Sequence, residues 1–196
     1  MRVFLLLMLA AGAARAQNSD LGLLLGISGP TSQVNLVPGT IVSTRVAASG
    51  QINYAFQVRD TSPGRLYVEL PLLLGGHAST SIIPGSIASS GGGKMFFTPG
   101  VRWNILPHSR VSFYAAAGAG VAVYAEGMSV VGMGGVSASN GWTVAPAAAF
   151  GGGVDFRLTR LVSLRTEARD FVSRKGLGGV QGYNHPIYGF GLGFHW

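Results

Sequence analysis

Arginine, glutamate and arginine occupy alternate positions in Arg165-Thr166-Glu167-Ala168-Arg169, and Asp155 and Arg157 alternate in the same way just upstream. A period of two puts such side chains on one face of a β-strand. With Glu69 and Arg102 they form a set of both signs: Glu69, Arg102, Asp155, Arg157, Arg165, Glu167 and Arg169. Arg45 and Glu126 join it by the same parity. Opposite charges facing one another either line a path for ions or pair into a salt-bridged plug. A second candidate is His77-Ala78-Ser79, a base and a hydroxyl nucleophile one residue apart. Such a pair needs an orienting acid within hydrogen-bond reach, and no Asp or Glu follows before Glu126. His185 has no serine at that spacing. Cysteine is absent, which removes disulfides, thiolate metal sites and cysteine nucleophiles together. No metal-ligand cluster remains, and no cofactor is expected.

The elements that must position these groups are strands. The chain has 196 residues, length for one domain; 47% are hydrophobic, only 11% are charged, and 31 are glycine. That composition is too apolar for disorder and too rich in glycine for a helical bundle. The first residues carry Arg2, an apolar run from Val3 to about Ala11, and small residues ending in Ala14-Arg15-Ala16. This is the pattern of a secretory signal peptide over 1–16, with the run too short to span a bilayer as a helix. Losing Arg2 and Arg15 takes the formal net charge from +7 to +5. The remaining arginines are dispersed, so nucleic-acid binding has no support.

From residue 17 onward apolar residues recur at every second position. Ile52, Tyr54, Phe56 and Val58 share one face, as do Leu66, Val68, Leu70, Leu72 and Leu74, and Phe97, Pro99, Val101, Trp103 and Ile105. Eight strands are predicted, near 19–28, 45–58, 66–76, 95–105, 111–125, 142–157, 162–172 and 187–196. Short connections alternate with long ones at 29–44, 77–94, 127–141 and 173–186. The charged set lies opposite the apolar columns, and too few charges exist to coat a large water-facing surface. The apolar face therefore meets lipid, and only closure satisfies the sheet edges there. Domain 17–196 is thus expected to be all-β: an eight-stranded antiparallel up-and-down transmembrane β-barrel with short periplasmic turns and longer outer loops. The apolar run Val111–Ala125 reads as a strand within it, being short and glycine-rich for a spanning helix.

The last stretch, GFGLGFHW, places Tyr188, Phe190, Leu192, Phe194 and Trp196 on the lipid face and Gly189, Gly191, Gly193 and His195 inside. Its partner is the first strand, with Leu21, Leu23, Leu25 and Ile27 outward. In this the sequence resembles the small eight-stranded outer-membrane barrels of the OmpA/OmpX type, whose final strand carries a glycine, an aromatic three residues on, and a terminal aromatic. Gly191, Phe194 and Trp196 match that pattern. The resemblance implies that they form the signal read by the barrel-assembly machinery. It also implies residence in a Gram-negative-type outer membrane, among outer-membrane lipid and lipopolysaccharide, as a monomer. Its role would be structural or interactive, with outer loops open to an extracellular ligand; the alternatives are a narrow pore and a lipid A-modifying enzyme. Some barrels deacylate lipid A with serine, histidine and glutamate, and His77 and Ser79 are similar only in their spacing.

Two further features have two readings each. Inner-face glycines (Gly22, Gly26, Gly118, Gly120, Gly151, Gly153, Gly189, Gly191 and Gly193) leave a water-filled cavity or make room for long arginines, and small barrels alternate small and large residues. The apolar stretches Ile82-Ile83-Pro84 and Val130-Val131-Gly132-Met133 are a binding surface, or they extend the hairpins or fold over the barrel mouth. Eight strands enclose a space that side chains fill, which favours the plug over the ion path.

Overall fold

A computed structural model describes residues 19–28, 41–44, 47–83, 86–107, 109–132, 135–175 and 181–196. The expected signal peptide, 1–16, and Arg45 lie outside these residues. Ten strands run in chain order: β1 (Ser19–Ser28), β2 (Ile41–Thr44), β3 (Ala47–Thr61), β4 (Gly64–Ile83), β5 (Ser86–Phe97), β6 (Gly100–Ile105), β7 (Val111–Gly132), β8 (Gly135–Arg157), β9 (Val162–Lys175) and β10 (Gln181–His195). Among the described residues there is no helix, and Val111–Ala125 falls within β7.

The strands close into a ring of eight antiparallel staves: β1, β3, β4, then β5 and β6 as one interrupted stave, then β7, β8, β9 and β10, which returns to β1. First and last strands pair from Asp20↔His195 to Ser28↔Ile187. Backbone bonds from Ser19 N to Trp196 O and from Trp196 N to Ser19 O, 2.8 and 3.1 Å long, extend the seam. The pairing register, followed once around the ring from Val144 through Val123, Met95, Leu74, Gly50, Leu25, Phe190 and Thr166, returns to β8 at Val154. This displacement is the stagger that tilts the staves of a closed barrel. Leu25 is 80% exposed, and Phe190, Phe150 and Ile52 also face outward. Near the short turns, Phe56, Trp103, Phe113, Phe156 and Trp196 form an exposed aromatic girdle. A closed sheet with an apolar waist and an aromatic rim is a membrane-spanning barrel.

The predicted strands are found, but two long connections are not loops. β4 continues to Ile83 and pairs with β5 along its length, and β7 and β8 pair as far as Gly132↔Gly135. Ile82, Ile83, Val130 and Val131 thus extend hairpins; Pro84 and Met133 lie outside the described residues. Within 29–44, Ile41–Thr44 forms β2 and pairs with Ser79–Ile82 of β4. In the last long connection β9 runs to Lys175 and β10 starts at Gln181. Beyond the bilayer the outward face no longer has to be apolar. Pairing can then persist in serine- and glycine-rich sequence, which reads as loop.

The predicted strand 95–105 is interrupted at Thr98 and Pro99, since proline cannot donate to the ladder. Ala119 N still donates to Pro99 O, at 3.1 Å. Here glycine is required by close backbone approach: a Cβ on Gly118 would strike Thr98 O, and one on Gly120 would strike Phe97 O.

Candidate functional site: the filled lumen

β9 supplies the framework. Its inward residues, from the turn end upward, are Ser163, Arg165, Glu167, Arg169, Phe171 and Ser173, all buried. Each charged level has a glycine on at least one neighbouring strand: Arg165 is opposite Gly191 and Asp155, Glu167 opposite Gly153 and Gly189, and Arg169 opposite Gly151 and Ile187. A Cβ on Gly22 would lie 2.7 Å from Arg165 Nη1, so glycine makes room for the guanidinium there; one on Gly193 would lie 2.6 Å from Ser163 Oγ and 3.2 Å from Arg165 Nη2. At Gly151 and Gly191 the nearest atoms are the Ala168 and Leu23 backbone oxygens.

Arg165 is the centre of the lower layer. It donates through Nε and Nη2 to Asp155, at 2.7 and 2.8 Å, and through Nη1 and Nη2 to Asp20, both at 2.8 Å. Asp20 also accepts from Arg102 Nη1 at 3.0 Å and lies 2.8 Å from His195 Nδ1. Asp20 thus joins β1 to β6, β9 and β10. Above it, Arg169 Nη2 donates to Glu69 at 2.9 Å, while Arg169 Nε stands 2.8 Å from Glu167 Oε1 as an ion pair lacking hydrogen-bond alignment. Glu167 is held mainly by neutral donors, Gln51 at 2.7 Å, Asn53 at 3.1 Å and Tyr114 at 2.7 Å. These offset the excess of the carboxylates Asp20, Glu69, Asp155 and Glu167 over three guanidiniums. Arg102 stacks its guanidinium over Tyr67 and Tyr114, 4.9 and 5.3 Å from the ring centroids, a contact that strengthens when desolvated.

Of the predicted set, Glu69, Arg102, Asp155, Arg165, Glu167 and Arg169 meet in one lattice. Arg157 is half-buried at the turn end and makes no ion pair among the described residues. Glu126 lies in β7 opposite Gly92 and Gly141. The Glu69–Arg102 contact is 3.7 Å, longer than either residue's other pairing. Glu69→Gln is accordingly expected to destabilise the barrel by about 3 kcal/mol. In double-mutant cycles read by urea unfolding, its coupling to Arg169→Gln should exceed its coupling to Arg102→Gln. The reverse order would contradict the observed pairing.

Asp20 is absent from the sequence-derived set. Its parity with Gly22, Leu24 and Gly26 assigns it to the lumen, but it follows the polar stretch Gln17-Asn18-Ser19 behind the expected processing site, where nothing local sets it apart.

The upper half of the lumen departs from the expected polar interior. Leu73, Phe96, Ala122, Tyr124, Phe171 and Ile187 form a buried apolar layer. The Phe96 ring lies 5.0 Å from Phe171, 5.3 Å from His185 and 5.8 Å from Tyr124. Tyr124 Oη shares hydrogen bonds with Ser173 Oγ at 2.7 Å and His185 Nε2 at 3.1 Å. The sequence signal is broken alternation: Leu23-Leu24-Leu25, Leu72-Leu73-Leu74 and Phe96-Phe97 are continuous runs, as expected for strands buried on both faces. Arg102, Arg165, Leu73, Phe96, Tyr124 and Phe171 have no surface that water can touch, so the lumen is filled at both levels.

Two constellations invite chemistry. Ser163 Oγ lies 2.9 Å from His195 Nε2, whose Nδ1 faces Asp20, the connectivity of a serine hydrolase relay. Ser163 is wholly buried, leaving a substrate no approach, and Asp20 is already committed to two arginines. Asp20, Asp155 and His195 also offer ligand atoms within 4.8 Å of one another, but the Arg165 guanidinium binds both carboxylates where a cation would sit. His77, Ala78 and Ser79 lie in β4, paired with Gly92, Gly91 and Ser90 of β5, and Gly92 pairs in turn with Glu126 of β7.

No protein-family model and no curated protein sequence matches the chain. Solved structures do. The outer membrane protease OmpT from Escherichia coli aligns with a TM-score of 0.60 at 9% identity, over 92% of this chain and 97% of that one. The outer membrane protein OprG from Pseudomonas aeruginosa aligns with a TM-score of 0.57 at 13% identity, over 93% and 97%. Neisserial surface protein A aligns with a TM-score of 0.50 at 13% identity, over 92% and 97%. The fold is that of the outer-membrane β-barrels. At such identities the likeness concerns architecture alone.

Proposed function

We propose that this protein is a non-conducting, non-catalytic outer-membrane barrel that presents its long hairpins at the cell surface. The filled lumen carries this reading: a scaffold sealed by a charged layer and an aromatic layer supports display and offers no route for solute. The β7–β8 hairpin, with strands of 22 and 23 residues, is the main element displayed. The name of Neisserial surface protein A agrees with such a role. An epitope inserted between Gly132 and Gly135 should be labelled by antibody on intact cells. Labelling only after permeabilisation would refute display. The mass of lipid A from expressing cells should be unchanged; loss or gain of an acyl chain would revive the enzyme reading and point to His77, Ser79 and Glu126.

Export through cleavage after Ala16 and recognition of Gly191, Phe194 and Trp196 by the assembly machinery belong to the same proposal. Trp196 is exposed on the girdle, so Trp196→Asp removes little packing. The variant should refold from urea into detergent nearly as well as the native protein, yet accumulate in the periplasm of cells. Native levels in the outer membrane would refute the assembly role.

A further inference from the structure

The turn end of the barrel combines two surface properties that water alone does not explain. Arg59, Arg110 and Arg160 are exposed and Arg157 is half-exposed there, and none of the four makes an ion pair among the described residues. At this end Asp20 and Asp155 are buried in the lumen, and the exposed Asp60 is paired with Arg65 at 3.4 Å. Between the arginines stand leucines: Leu106, Leu158 and Leu161 are 50%, 52% and 61% exposed.

The rim is held in place. Thr159 Oγ1 accepts from Leu161 N and Val162 N at 3.2 and 3.0 Å, while Leu158 N and Thr159 N both donate to Val162 O at 3.0 Å, fixing Arg160 at the tip of the β8–β9 turn. Arg157 N donates to Arg110 O at 2.9 Å, so these two arginines are neighbours. In β3 the register slips between Gln57 and Arg59. Without that bulge, parity with Asn53 and Ala55 would send Arg59 into the lumen. With it, Arg59 stands opposite Leu66, in the outward row that continues to Trp103.

We propose that this rim is a docking surface for anionic phospholipid headgroups of the adjoining leaflet, with Arg110, Arg157 and Arg160 as its centre and Arg59 as its flank. Guanidinium groups match phosphate oxygens in geometry and charge. The leucines decide the occupant, because a water-borne acidic partner would leave them without a role. At the headgroup boundary they meet acyl chains while the arginines reach phosphate. The aromatic girdle of Trp103, Phe113 and Phe156 sits just above, where such rings mark the interface.

The test uses the native protein and its variants in vesicles, with Trp142→Phe throughout, so that Trp103 and Trp196 report on the turn end. Fluorescence quenching by brominated phosphatidylglycerol is compared with quenching by brominated phosphatidylcholine. The expected preference for phosphatidylglycerol is about two- to fourfold at low salt, falling to unity at 1 M salt. It should also vanish in the triple variant R110Q/R157Q/R160Q and decrease in R160Q alone, whose site lies outside the strand pairing. Equal quenching by both lipids, or a preference that survives high salt and R160Q, would overturn the proposal. So would arginine-dependent binding of a soluble acidic glycan or peptide to neutral-lipid vesicles without headgroup selectivity.

Discussion

Replacing Asp20 with asparagine is expected to lower the unfolding free energy by about 3–5 kcal/mol, the range for removing one partner from a buried ionic network. The amide keeps the shape of the carboxylate, but it removes a charge shared by Arg165 and Arg102 and turns a donor group toward donors. Arg165 retains Asp155, whereas the carboxylate left to Arg102 is Glu69, at 3.7 Å, beside its stacking on Tyr67 and Tyr114. The deficit is therefore concentrated on Arg102, and adding Arg102→Gln to Asp20→Asn should recover part of the loss. Urea titration in detergent should show a lower midpoint with an unchanged slope. Asp60→Asn is the control: its pair with Arg65 is longer and Asp60 is 60% exposed, so its effect should stay within about 1 kcal/mol. Equal effects of the two substitutions would remove Asp20 from the centre of the network.

The second large effect concerns the aromatic layer. Phe96→Ala and Phe171→Ala should each cost about 3–5 kcal/mol through lost contacts and the void left behind. Because the two rings touch, the double variant should cost less than the sum. Neither single substitution should make the barrel conduct, since the Asp20–Arg165–Asp155 layer beneath remains closed. A purely additive double variant in urea unfolding would mean that the rings pack independently.

The staves were legible because bilayer and lumen impose opposite polarity on alternate residues; Ile52, Tyr54, Phe56 and Val58 against Gln51, Asn53 and Ala55 leave one solution. Asp155 and Arg165 flank a short turn, whose length sets them opposite one another. Less local features were harder to read. Asp20 meets Arg102 only when the ring closes, across 82 residues of sequence, and no nearby residue announces it. Phe96 and Phe171 read as membrane-facing by type, and their parity with Arg102 and with Arg165, Glu167 and Arg169 is what assigns them to the lumen. The hairpins above the bilayer lost their signal because their composition satisfies pairing without needing an apolar face.

The most direct test of the sealed lumen is single-channel recording of the native protein in planar bilayers, with folding checked by the shift in SDS mobility between unheated and boiled samples. A barrel closed by the charged layer and again by Phe96, Tyr124 and Phe171 predicts a flat baseline at moderate voltage. Discrete, reproducible conductance steps from correctly folded protein would contradict it.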